Sequence, residues 1–146
     1  MERLSFLLKQ AFALMDEATE RELAQLSVSG REFAVLTLID AEGAASQQRL
    51  AARIGVDRTT MVALIDALEE KRLVNRRRDP SDRRAYIVEA TPAGRKTLQR
   101  ALKAVELAER QALAPLTASE STALKQALQR LAEAALARDA KQPDHD

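Results

Sequence analysis

Apolar residues recur every three to four positions through most of this chain, and the places where that rhythm stops divide it into segments. Leu4, Leu7, Leu8, Ala11, Met15 and Ala18 fall on one helical stripe, widened by Phe12 and Leu14. They predict a first helix from about Glu2 to Leu26. Ser27-Val28-Ser29-Gly30 interrupts it, and Ser29 with Glu32 has the S-x-x-E spacing of a capping box. A second helix is expected from Arg31 to about Glu42, with Gly43 closing it. Ser46 can cap a third, Gln47 to Ile54, and Asp57 a fourth beyond Gly55. On the fourth, Met61, Leu64, Ile65 and Leu68 sit at i, i+3, i+4 and i+7. Two capped helices joined by a short glycine turn form a helix-turn-helix, in which the second helix is offered for recognition.

The period then changes. Leu73–Arg78 is too short and too basic for a helix with a buried stripe, and Arg84–Ala90 is rich in strand formers. Asp79-Pro80-Ser81-Asp82 between them is a turn, with proline fixing φ at the second position. A basic hairpin directly after a helix-turn-helix is a wing. Thr91-Pro92 restarts a helix that Pro115 stops. Thr117 and Glu120 then set a second capping box before a last helix carrying Leu124, Leu128, Leu131 and Leu136. Arg138–Asp146 reads as a polar tail. The expected fold is mainly α with a small β-hairpin wing. A winged helix-turn-helix at 29–90 is flanked by dimerisation helices at 1–28 and 91–137.

Composition narrows the function. Among 146 residues the apolar fraction is 46% but aromatics are only 3%, so the core must be aliphatic. Without cysteine there is no disulfide or thiolate chemistry, and with His145 as the one histidine a metal site is not expected. No nucleophile–base pair, ligand cluster or phosphate-cradling glycine loop is visible, so neither an enzyme nor a cofactor is expected. No apolar run approaches a membrane span and no signal peptide is apparent, which reads as a cytoplasmic protein. Net charge is only +1, but its distribution is uneven. Residues 46–100 carry 13 basic and 7 acidic side chains, against 4 and 8 in residues 1–45 and 6 and 7 in residues 101–146. A basic middle between acidic flanks suits a polyanion.

The candidate DNA-binding residues follow. Recognition helices read from their N-terminal end, which here offers Arg58, Thr59 and Thr60. Gln47 and Gln48, opening the third helix, join them. The wing adds Arg76, Arg77, Arg83 and Arg84, suited to the narrow minor groove of A·T-rich DNA, and Asp82 can orient a guanidinium at the tip. The outer helices, each roughly 30 Å long, overhang a 60-residue module. Pairing them across a two-fold axis would cover their stripes and fix the spacing of two recognition helices. The competing reading is a winged-helix protein-interaction module without DNA binding, motivated by Val62, Ala63, Asp66 and Glu70 on the outer face of the recognition helix.

Gln48-x-Leu50-Ala51, Val56-Asp57-x-Thr59-Thr60, Leu64-Ile65-x-x-Leu68-Glu69, Arg77-x-Asp79-Pro80-x-Asp82-Arg83-Arg84-Ala85 and Thr91-Pro92-x-Gly94 together resemble the MarR family of transcription regulators. The resemblance implies a triangular homodimer with intertwined terminal helices on a pseudo-palindromic operator. It implies Arg84, and secondarily Arg83, in the minor groove, with Asp82 as supporting carboxylate. It also implies a pocket for a small-molecule effector, often an aromatic acid, for which Phe12, Met15, Phe33 and Leu36 are the candidate walls. The chain departs from the pattern at Val62 and Ala63, where many members carry a small polar residue and an arginine. It also lacks the cysteine of the peroxide-sensing branch and the tryptophan of urate-responsive members.

Overall fold

The computed structural model describes residues 3–139. Its element order is α1 (Leu4–Ala24), α2 (Gly30–Glu42), β1 (Ala45–Ser46), α3 (Gln47–Ile54), α4 (Arg58–Glu70), β2 (Val74–Arg78), β3 (Tyr86–Ala90), α5 (Pro92–Ala112) and α6 (Ala118–Asp139). The chain forms two compact units, one ending at Glu109 and the other beginning at Arg110.

Local chemistry sets the helix starts. Ser29 Oγ accepts the Glu32 N–H, and Glu32 accepts the Ser29 N–H in return. Ser46 caps α3 through the Arg49 N–H, and Asp57 caps α4 through the Thr60 N–H. Gly55, left-handed at φ 76° and ψ 37°, ends α3 where a side chain would be strained. Thr91 Oγ1 accepts the Gly94 N–H at the start of α5, with Pro92 in the first helical position.

In the first unit, α2, α3, α4, the sheet and the start of α5 close around one aliphatic core. Val35, Leu36, Leu50, Met61, Ile65, Leu68, Val74 and Val88 are fully buried there, joined by Leu98. Burying a side chain of this size contributes about 1.5–3 kcal/mol relative to leaving it in water. Leu64, expected on the inner stripe, packs against this core only part-buried.

The sheet has one strand more than the sequence suggested. β1 pairs antiparallel with β3 (Ala45 opposite Val88), giving the order β1-β3-β2. β1 thus anchors the wing to the start of the helix-turn-helix. β3 begins at Tyr86 rather than Arg84, because Arg83 and Arg84 form a turn of their own. At the base of the wing, the Thr91 N–H bonds the Leu73 carbonyl and the Thr91 hydroxyl bonds the Arg72 carbonyl. Gly94 completes the junction: a Cβ there would lie 1.9 Å from the Leu73 carbonyl oxygen.

The second unit contains α6, capped by Thr117 and Glu120, which exchange backbone N–H bonds. No described residue of α6 is buried. The expected tail is shorter than read, since Arg138 and Asp139 belong to α6. The rest of the tail, with His145, lies outside the described residues, as does Glu2 at the expected start of α1.

Candidate nucleic-acid interface

The wing tip is two turns in succession. The Asp82 N–H bonds the Asp79 carbonyl at 3.3 Å, the turn expected around Pro80. The Ala85 N–H then bonds the Asp82 carbonyl at 3.0 Å, which makes Arg83 and Arg84 the two corner residues of the second turn. Carboxylates hold this backbone. Asp79 accepts from both the N–H and the hydroxyl of Ser81, and Asp82 accepts the Arg84 N–H at 3.0 Å. The Ser81 hydroxyl, then the Ser81 N–H, holds the Asp79 carboxyl below its ordinary value of 3.8. Asp82 therefore supports the tip through the Arg84 backbone. The expected carboxylate–guanidinium pair does not form, because an aspartate two residues upstream meets the peptide N–H first.

The wing arginines divide into two groups by strand alternation. Arg76 and Arg78 lie on one face of β2, and their guanidinium groups stand 5.7 and 5.5 Å from the Tyr86 ring centre. Arg76 is turned onto α4, where it meets Asp66 at 2.8 Å and Glu69 at 3.7 Å, and its own N–H bonds Glu69. Arg77, on the opposite face, pairs with Glu89. Arg78 donates to the Arg83 carbonyl at 2.7 Å and braces the tip. Arg76 and Arg77, both expected to face DNA, are thus engaged within the protein. Asp66 is thus paired with Arg76 while staying exposed, and Glu70 on the same face of α4 is exposed as well. Arg58, Arg83 and Arg84 form no ion pair among the described residues.

Two of these arginines, Arg58 and Arg84, come together with the expected glutamines. Gln47, Gln48, Ala51, Arg58, Met61, Asp82, Arg84, Ala85 and Tyr86 line one open notch of about 480 Å³ between the starts of α3 and α4 and the wing tip. The Gln47 side-chain oxygen is buried with no partner among the described residues. Thr59 is exposed on the first turn of α4, while the Thr60 hydroxyl is turned back to Asp57 Oδ2 at 2.8 Å. Bonds from the Thr60 N–H and then the Thr60 hydroxyl hold the Asp57 carboxyl below its ordinary value.

Other charged pairs were not legible in the sequence. Glu42 accepts from both Arg49 and Arg53, tying α2 to α3. Lys71, just past α4, reaches the buried Glu32 at 2.8 Å and the Ser27 carbonyl at 2.7 Å, pinning the recognition helix to the start of α2. The candidate effector walls do not converge in the isolated chain. Leu36 is a core residue and Phe33 packs against that core, whereas Phe12 is 69% exposed on α1 and Met15 is part-buried. Neither this notch nor a second cleft, lined by residues including Ser46, Arg49 and Asp79, includes any of the four.

The MarR family pattern matches residues 28–86, from the turn before α2 to the first residue of β3. The solved structure of a transcriptional repressor, CouR, bound to a 23-mer DNA duplex, superposes with a TM-score of 0.82 at 35% identity, over 89% of this chain and 92% of that one. The chain belongs to the MarR family. Among curated relatives, a putative transcriptional regulatory protein for the hcr operon of Thauera aromatica is 35% identical over 99 residues, which are 68% of this chain and 60% of that protein. The transcriptional repressor NicR of Pseudomonas putida is 25% identical over 130 residues, 89% of this chain and 82% of that one. As a MarR-family protein with a winged helix-turn-helix fold, this chain is a DNA-binding transcription regulator. Among the described residues, no helix is long and apolar enough to cross a membrane.

Proposed function

We propose that this regulator is a homodimeric repressor that grips a pseudo-palindromic operator and is released from it by a small ligand. The observation that carries the reading is the notch. It gathers Gln47, Gln48, Arg58 and Arg84 between the first turns of two helices and the wing tip. A phosphate strand crossing there would meet two guanidinium groups, two side-chain amides and the positive ends of two helix dipoles. The strand would leave the α4 N-terminus, with Thr59, in the major groove and the Arg83–Arg84 corner in the adjoining minor groove.

The flanking helices support dimerisation. On α6, Leu124, Leu128 and Leu131 follow one stripe and all are exposed, and on α1 Leu4, Phe6, Leu7, Leu8, Phe12 and Leu14 are exposed as well. Most helical stability in proteins comes from packing an apolar face, and no residue of α6 whose burial is described is buried, so these surfaces need a cover, and a second copy provides one. Repression follows the names borne by NicR and CouR. Release requires a ligand that binds better to a dimer with misspaced recognition helices. Phe12 and Met15, which find no full cover in one chain, remain the candidate walls for it.

Selection of bound duplexes from a random pool tests the reading. The selected sites should carry two inverted half-sites about one helical turn apart. With about 8 phosphates neutralised, the log–log slope of affinity against salt should be about −7. A slope near zero, or half-sites without fixed spacing, would reject it.

A further inference from the structure

Building on the reading of this chain as an operator-binding regulator, we infer that Val62 and Ala63 read thymine methyl groups, so that 5-methylpyrimidines specify each half-site where the middle of α4 faces it. The inference starts from what α4 lacks. Between Thr59 and Glu70 there is no arginine, lysine, asparagine or glutamine. These are the side chains that hold guanine or adenine with paired hydrogen bonds in the major groove. Arg58 precedes this stretch and lines the notch with Arg84.

The polar groups that remain are largely engaged. The Thr60 hydroxyl bonds Asp57. Asp66, the one carboxylate near the middle of the exposed face, accepts from Arg76 at 2.8 Å. Met61, Ile65 and Leu68 face the core, which turns Thr59 and Ala63 outward as the crest of the helix. Val62 lies beside that crest, one turn after Arg58 and one turn before Asp66, and is only part-buried. In the segment that enters deepest, the surface presented to base edges is therefore the Thr59 hydroxyl and methyl followed by the apolar groups of Val62 and Ala63. The complement on a base edge is the C5 methyl of thymine. Small side chains also let the helix backbone approach the groove floor, where such contacts form.

The experiment takes a selected duplex and replaces its thymines one symmetric pair at a time with deoxyuridine, which keeps base pairing and removes only the methyl. One symmetric pair should weaken binding about fourfold per methyl, hence about sixteenfold across both half-sites, the fold-change that corresponds to exposing one methyl-sized group. In the double variant Val62→Ser, Ala63→Ser the deoxyuridine penalty should vanish, with an unchanged circular dichroism spectrum showing that the substitutions leave the fold intact. If deoxyuridine is silent at every position of a bound operator, this inference fails while the repressor reading stands. A penalty that persists in the double variant also overturns it, by assigning the methyl to another residue. If no duplex is selected at all, both readings fall.

Discussion

At the residue scale, one side-chain type serves two ends in the wing. Arg76, Arg77 and Arg78 are spent on holding the hairpin, through Asp66 and Glu69, Glu89, and the Arg83 carbonyl. Arg83 and Arg84, at the corners of a turn braced by the Asp82 carboxylate, form no ion pair among the described residues. Arg84→Ala should weaken operator binding and make the log–log salt slope shallower by about 1, as expected for one lost phosphate or groove contact. Arg77→Ala should leave that slope unchanged, because its charge is matched by Glu89. Titration of each variant with duplex at several salt concentrations separates the two. Asp57 makes a pH prediction. Its carboxyl sits below 3.8 because it caps α4, so the charged cap stabilises the fold fully above the unfolded value. That contribution is lost as pH falls through the lower folded value. Against Asp57→Asn, which keeps a capping oxygen without the charge, thermal unfolding of the wild type should hold a constant offset above about pH 5 and begin to converge on the variant as pH falls below about 3.8.

At the scale of elements, much was legible because it is local. Ser29 with Glu32, Ser46, Asp57, Thr91 and Thr117 with Glu120 all cap the helices that their spacing announced. A cap needs only the next three residues. What escaped the sequence depends on distant partners. β1 is two residues long, and only the presence of Val88 and Ile87 opposite makes it a strand. The division of the wing arginines into engaged and free follows from strand register and from acids on α4, neither visible along the chain. Leu36, read as a pocket wall, has the same apolar character as a core residue, and only packing distinguishes them. Gly94 shows the middle case, since the motif marks it but the reason is the Leu73 carbonyl. Gly94→Ala should therefore destabilise the fold by about 1–3 kcal/mol through overpacking against backbone. Denaturant unfolding should show this as a lower midpoint with an unchanged m-value.

At the scale of the whole molecule, a small aliphatic core carries the winged module, while α1 and α6 leave much of their apolar surface uncovered. In a dimer, stability is tied to concentration by mass action. The thermal midpoint should rise with protein concentration, and Leu128→Asp with Leu131→Asp should abolish that dependence. Sedimentation should then show single chains, and operator binding should fall with loss of the second half-site. A monomeric wild type that binds its duplex with full affinity would contradict the dimer.

Tyr86 gives the molecule a built-in optical reporter. It is the single tyrosine of a chain with no tryptophan, and it sits on the wing between two guanidinium groups at the edge of the notch. Ultraviolet-excited emission from the unlabelled protein therefore comes almost wholly from one ring beside the surface assigned to DNA. A change in its intensity on mixing with duplex registers events at the wing, so association kinetics can be followed without a dye, a tag or an engineered side chain.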